Sequence, residues 1–217
     1  WGNTWENPDD PGDKGIALFD IDTTDNFIRN NVIGLAPAGV DALPNQGHGI
    51  DVNYGATDNV VGGHDDDDRN VISGNDLSGV EISHNSPGGN ITERNLVIGN
   101  WSGTTADGTA GTAATGNDEH GVNLEGNERC ISTCPDDLRR NTVAGNVIVG
   151  SAQANVIIWK AAHENVVTNN LIGVLPDGAT RPASWDRTVW GVMIQAGAFD
   201  NEIVGNTIRH LERGVHL

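Results

Sequence analysis

The sequence predicts an all-β protein, a right-handed parallel β-helix (solenoid) of about seven coils with three short strands in each coil. Two observations predict this fold. A strand motif of the form Gly-apolar-x-apolar-x recurs along the 217 residues, and an asparagine-rich motif follows each copy. Because near-identical strands return only at long intervals, we expect them to stack in parallel, like residue over like. Right-handed winding follows from the general preference of parallel crossovers.

The strand motif defines the first strand of each coil. Its second and fourth residues are apolar and are predicted to point inward, which leaves the third and fifth residues outward. No window carries the apolar stripe of an amphipathic helix. The copies begin at Gly15, Gly49, Gly79, Gly121, Asn155, Gly191 and Gly214.

The second motif, Asn-x-apolar-x-x-Asn-x-apolar-x-Gly, predicts the other two strands and their turns. It is clearest at residues 165–173, and variants of it follow the other first strands. Stacked asparagines at equivalent turns are expected to form amide ladders along the solenoid. Longer coils must carry loops, and three of these loops precede His48, His120 and Trp190, so we expect them to enter at one corner and wall a groove.

The chain reads as a single β-helix domain over residues 1–217. We expect the solenoid to be incomplete, or covered, at its C-terminal end, because the last strand motif stops at Leu217. An open end of a parallel sheet invites pairing, so a homo-oligomer or a second chain is an expected cover.

The composition limits the classes of molecule that the protein is expected to bind. The formal charge is −18, and the lysines are Lys14 and Lys160 alone, which disfavours nucleic acid as a partner. No apolar run is long enough to predict a membrane span. Cys130 and Cys134 could close a small disulfide loop in an oxidising compartment, or stand as two free thiols.

Three stretches resemble a known group of proteins: residues 95–100, residues 105–110 and residues 121–124, which read NLVIGN, TADGTA and GVNL. They resemble the secreted bacterial parallel β-helix repeat proteins of the pectate-lyase-like superfamily, and the resemblance covers essentially the whole chain. It implies a secreted, extracellular or cell-surface location and a polysaccharide or oligosaccharide partner. It does not imply one activity, since the superfamily includes lyases, hydrolases, epimerases and non-catalytic surface proteins.

The outward positions of the first strands suggest a catalytic site. Asp51 and Glu81 are predicted to be direct neighbours about 4.8 Å apart, with Glu125 one coil further and two residues along. Such carboxylates suit the acid and the nucleophile or base of a glycosidase, or the oxygen ligands of calcium. The alternative is that they are simply solvated, although stacked like charges are destabilising without a proton or cation between them.

Further polar and aromatic side chains flank these carboxylates and are predicted to bind substrate. The histidines could instead be turn residues, and the indoles could instead cover coil corners. Lys160 could also be the base of a lyase, or one more exposed lysine. The predicted substrate-binding residues are His48, Asn53, His84, His120, Asn123, Trp159, Lys160 and Trp190.

A run of four aspartates lies in a corner loop. Asp65, Asp66, Asp67 and Asp68 could hold a calcium ion that stabilises the turn, although they lack the alternating spacing of an EF-hand loop. Four adjacent carboxylates are more often a solvated acidic loop. Apart from this calcium option, no cofactor is expected.

Taken together, these features favour an extracellular carbohydrate-active enzyme that hydrolyses a polysaccharide in a groove on the first sheet, using Asp51, Glu81 and Glu125. One alternative is a polysaccharide lyase or epimerase that uses Lys160 and calcium. Another is a non-catalytic surface or adhesin-type solenoid scaffold.

Overall fold

A computed structural model describes residues 13–84, 90–127, 138–184, 186, 188 and 190–217. Three parallel sheets form the three sides of a β-solenoid, which confirms the predicted fold class. The first sheet contains β1 (Ile16–Phe19), β4 (Ile50–Asn53), β7 (Val80–Ser83), β10 (His120–Glu125), β13 (Ala154–Trp159), β16 (Trp190–Ile194) and β19 (Arg213–His216).

The other two sides are built from shorter strands. The second sheet contains β2 (Phe27–Ile28), β5 (Val60–Gly62), β8 (Leu96–Ile98), β11 (Thr142–Ala144), β14 (Val166–Thr168) and β17 (Glu202–Val204). The third contains β3 (Val32–Ile33), β6 (Val71–Ile72), β9 (Trp101–Ser102), β12 (Val147–Ile148), β15 (Leu171–Ile172) and β18 (Thr207–Ile208). None of the helical structure in these described ranges has the length and apolarity that crossing a membrane would take.

Like residues stack on like in the first sheet. Ile50 lies opposite Val80, and Val52 lies opposite Ile82, one coil apart. Val122 and Leu124 continue the same two rows. Their side chains are buried in one core that runs along the solenoid axis, so the prediction that the second and fourth positions point inward is confirmed.

Asparagine ladders hold the turns, as predicted. Each amide donates from Nδ2 to the Oδ1 of the equivalent asparagine in the next coil, at 2.8 to 3.2 Å. The first ladder is Asn26, Asn59, Asn95, Asn141, Asn165 and Asn201. The second is Asn31, Asn70, Asn100, Asn146, Asn170 and Asn206.

A third, shorter ladder explains why glycine opens the first strands. It links Asn45, Asn75 and Asn117 through bonds of 2.8 and 2.9 Å. A Cβ on Gly49 would lie 2.6 Å from Ile72 Cγ2 and 2.8 Å from Asn75 Nδ2. Glycine is therefore required where the first strand passes this ladder.

The long loops enter at one corner, as predicted. They occupy residues 34–49 and 103–119 and, in the described part of the third interval, residues 173–184, each between a strand of the third sheet and the next strand of the first. Neighbouring loops are joined by backbone bonds, for example Ala106 N–H to the Gly39 carbonyl at 2.8 Å and Ser184 N–H to the Gly111 carbonyl at 3.0 Å. Their described residues contact the third sheet, where Gly108 lies against the Trp101 ring and Leu175 packs with Val147, so a groove wall beside the first sheet stays a prediction.

Candidate functional site

The outer face of the first sheet brings the predicted carboxylates together. In register, Asp51 lies opposite Glu81, and Glu81 lies opposite Asn123. Glu125 follows Asn123 by two residues on the same strand and lies opposite Trp159. The predicted arrangement of these side chains is confirmed.

The middle of this outer face is buried, whereas the Glu125 side chain at its edge keeps 15% exposure. Asp51 is 2% exposed, Glu81 is 6% exposed and Asn123 is 1% exposed. The alternative that Asp51 and Glu81 are simply solvated is therefore wrong. Carboxylates taken out of water need hydrogen bonds or opposite charges, and the contacts described next supply both.

Asn123 links two of the carboxylates. Its Nδ2 donates to Glu81 Oε2 at 3.2 Å and to Glu125 Oε2 at 3.3 Å. The amide is held in this orientation because the Trp159 indole Nε1–H donates to Asn123 Oδ1 at 2.8 Å. Since one nitrogen bonds both carboxylates, their two oxygens lie within roughly 6.5 Å of each other.

His48 contacts the other side of Glu81. Its Nε2 lies 2.8 Å from Glu81 Oε2, and its Nδ1 accepts the Ser78 backbone N–H at 3.2 Å. Because Nδ1 is an acceptor, the proton of the neutral ring must lie on Nε2, which donates to the carboxylate. The backbone of the next coil thus sets the tautomer of His48.

The two glutamates have opposite electrostatic surroundings. Burial alone would raise the pKa of Glu81, but the hydrogen bond and charge of His48, with further bonds from Ser83 and Asn123, lower that pKa below its ordinary value. Burial raises the pKa of Glu125, and the negative charge of Glu81 adds to this rise, while the Lys160 ion pair opposes it. Glu81 therefore loses its proton at a lower pH than Glu125 does.

Lys160 is engaged at this site. Its Nζ pairs with Glu125 Oε1 at 2.5 Å and lies 4.1 Å from the centroid of the Trp159 ring. The lysine that could have served a lyase as a base is therefore bound to a carboxylate. The same cation covers one face of the indole of Trp159, a residue that was predicted to bind substrate.

Asp51 lies beside this group and pairs with Lys14, whose Nζ is 3.9 Å from Asp51 Oδ2. Lys14 was not among the predicted site residues. A signal for it did exist, because Lys14 precedes Gly15 as His48 precedes Gly49 and His120 precedes Gly121. The residue before the strand glycine is thus the one that reaches the outer face.

The remaining predicted residues lie on the same sheet with other partners. His120 is buried, and its Nδ1 accepts the Ala154 N–H at 3.3 Å. Asn53 Oδ1 accepts the backbone N–H of the following residue at 2.7 Å. His84 is buried, and its backbone N–H donates to the Glu125 carbonyl at 2.9 Å.

Beyond Asn123 the outer face becomes apolar. Ala154, Ile157 and Met193 form a buried cluster against which Trp159 and Trp190 pack. Arg213 lies over the Trp190 ring at 4.4 Å, so this indole also has a covered face. The polar site is thereby confined to the middle coils.

The aspartate loop is a 3₁₀ turn over Asp66–Asp68. Asp66 pairs with Arg69, and Asp68 pairs with Arg29 at 3.4 Å. Throughout the part of the chain that the structure describes, no group of three or more His, Cys, Asp or Glu side chains is placed to hold a metal. Calcium at this loop stays a prediction. The predicted disulfide of Cys130 and Cys134 lies outside the described residues.

Comparison of the chain with protein-family models, with curated protein sequences and with solved structures gives no match in any of the three.

Proposed function

We propose that this protein is a glycoside hydrolase that cleaves a polysaccharide on the outer face of its first sheet. One observation carries the proposal: Glu81 and Glu125 share the Asn123 amide while their surroundings move their pKa values in opposite directions. Two neighbouring carboxyl groups, one ionised and one protonated, are what glycosidic bond hydrolysis requires.

The roles follow from the two environments. Glu81 is the nucleophile: its ionised carboxylate attacks the anomeric carbon as Glu125 donates a proton to the leaving oxygen. Water then attacks the glycosyl–enzyme ester and gives a proton to Glu125, which releases the sugar and restores both groups. We assign this double displacement with retained configuration because the upper limit of roughly 6.5 Å between the two oxygens lies at the lower edge of the separation at which a water fits between the carboxyl groups.

Charge favours a neutral polymer as the substrate. Asp51, Glu81 and Glu125 lie on this face, and the chain as a whole carries −18. A polyuronate would be repelled by such a surface. Elimination through Lys160 is disfavoured as well, because this ammonium is held by Glu125. Asp51 acts on the site through its charge, which raises the pKa of His48.

The resemblance to the pectate-lyase-like superfamily supports a polysaccharide substrate and an extracellular location. The strongly acidic composition, with two lysines, supports a soluble exterior role through charge repulsion between molecules and carries no information about the substrate. The sugar and the linkage are open, so the first experiment is a screen.

The test is a panel of neutral polysaccharides and polyuronates, with reducing ends and the absorbance of unsaturated products read together. Reducing ends without unsaturated product identify hydrolysis. Glu81→Gln is expected to abolish cleavage with an unchanged far-UV circular dichroism spectrum, a loss of about 10³-fold or more. Glu164→Gln is the matched control, because Glu164 pairs with Arg140 on another corner.

Full activity of Glu81→Gln would overturn the assignment. Unsaturated products would instead identify a lyase. No cleavage of any polymer would leave the non-catalytic scaffold as the better account. A proton NMR spectrum of fresh product checks the retained configuration.

A further inference from the structure

We infer that His48 is a positioning residue for Glu81, holding that carboxylate in one orientation through a hydrogen bond from Nε2. The catalytic consequence rests on the proposed function, but the contact itself does not. His48 was expected to bind substrate. Its ring is instead buried, with both nitrogens engaged by the protein.

The geometry leaves His48 one ring nitrogen that can donate a proton, Nε2, and one acceptor for it, the Glu81 carboxylate. The Ser78 backbone N–H occupies Nδ1, so only Nε2 can present a proton to Glu81. Turning the ring over would break both contacts at once. A nucleophile oriented by a neighbouring group, which is itself oriented by a third, is the arrangement that activated nucleophiles share.

A second histidine in the same chain serves as an internal comparison. His120 occupies the same place two coils later, before the strand glycine, and its Nδ1 also accepts a backbone N–H from the next coil. The position that Glu81 occupies relative to His48 is held by Ile157 relative to His120. At this position His48 therefore has a carboxylate neighbour, and His120 has an apolar one.

The pKa values of the two histidines shift in opposite directions, in line with this difference. For His48, burial opposes the charged form, yet Glu81, Asp51 and Glu119 together raise its pKa above the ordinary value. Nδ1 can gain a proton only by giving up the Ser78 bond, which limits that rise. For His120, burial prevails over the same kinds of charge and lowers the pKa. Glu119 in turn accepts a hydrogen bond from the Ser78 hydroxyl at 2.9 Å.

The experiment is an NMR titration of the Glu81 side-chain carboxyl carbon, assigned with Glu81→Gln, in three variants. His48→Leu and His48→Gln both deprive the Ser78 N–H of its ring acceptor, but only glutamine can still donate to Glu81. His120→Leu removes the imidazole ring from the equivalent position two coils later. A purely structural role for His48 would affect the leucine and glutamine variants alike.

We expect the Glu81 pKa to rise in His48→Leu, to stay close to wild type in His48→Gln, and to move less in His120→Leu than in His48→Leu. Equal behaviour of the leucine and glutamine variants, or no rise in His48→Leu, would overturn the inference. If His48→Leu does not fold, the reciprocal titration decides the question. Coupling is mutual, so the pKa of the His48 ring must fall in Glu81→Gln, although Asp51 and Glu119 remain. An unchanged ring pKa there would also overturn the inference.

The pH dependence of kcat/KM tests whether the His48 contact affects catalysis. With a substrate from the panel, the acid limb of kcat/KM is expected to move to higher pH in His48→Leu and to stay in place in His48→Gln. If no polymer is cleaved, the proposed function fails, while the NMR titration still decides whether His48 holds Glu81.

Discussion

The asparagine ladders allow a quantitative prediction for Asn146→Ala. Asn146 is 1% exposed, and its side-chain amide is fully used. Oδ1 accepts the Asn100 backbone N–H at 2.9 Å and the Asn100 Nδ2 at 3.1 Å. Nδ2 donates to the Val97 carbonyl at 2.9 Å and to Asn170 Oδ1 at 3.0 Å. Alanine removes all four bonds and leaves their partners buried.

At about 1 kcal/mol for each net hydrogen bond, the free energy of unfolding should fall by about 4 kcal/mol. For a chain of this size that corresponds to a Tm lower by about 10 °C. Thermal melts followed by far-UV circular dichroism, at one protein concentration and pH, measure the change. Urea midpoints provide a second determination.

Asn31→Ala is the matched control at the first coil of the same ladder. The Asn31 side chain is partly exposed and donates two bonds, to the Arg29 carbonyl at 2.8 Å and to Asn70 Oδ1 at 2.9 Å. Its loss should cost about 1 kcal/mol, because water can replace part of what is removed. Equal destabilisation by the two variants would refute the claim that buried amide ladders stabilise this solenoid.

Three further predictions concern the site and the acidic loop. Trp159→Phe keeps an aromatic ring but removes the donor that orients Asn123, so kcat should fall about tenfold. The Tm should fall by about 5 °C, because the buried Asn123 Oδ1 loses this bond, and a wild-type kcat would contradict the role of the indole. Because the pKa of Glu81 is lowered and that of Glu125 is raised, kcat/KM should be bell-shaped, rising as Glu81 ionises below the ordinary glutamate value of 4.5 and falling as Glu125 loses its proton above it; a profile without the alkaline limb would rule out Glu125 as the acid. The predicted calcium site of the aspartate loop is tested by thermal melts in calcium and in EDTA: a higher Tm in calcium would identify an ion site there, and an equal Tm would show that the pairs of Asp66 with Arg69 and Asp68 with Arg29 hold the loop without an ion.

The sequence predicts the backbone arrangement well, because the period of two and the repeat act together. Alternation decides which side of a strand a residue occupies, and stacking decides its neighbours in the next coil. Asp51 beside Glu81, and Glu125 two residues beyond Asn123, follow from these two rules alone. The common corner of the three loops follows from the intervals between copies.

What the sequence could not predict depends on side-chain orientation. The choice of Glu81 over Asp51 as the partner of His48 depends on the reach of a ring whose tautomer is set by a backbone N–H. The shared amide of Asn123 depends on the indole of Trp159 one coil away. Burial of the outer face was missed because alternation distinguishes inward from outward and does not say whether an outward residue is covered.

The central claim is that Glu81 and Glu125 act as a nucleophile and an acid in one hydrolytic site. Its most direct measurement is cleavage of the polysaccharide panel by wild type, Glu81→Gln, Glu125→Gln and the control Glu164→Gln, assayed for reducing ends at several pH values. The account predicts hydrolysis by wild type and the control, none by Glu81→Gln, and for Glu125→Gln a loss of activity together with the alkaline limb. Hydrolysis by Glu81→Gln at the wild-type rate would contradict it.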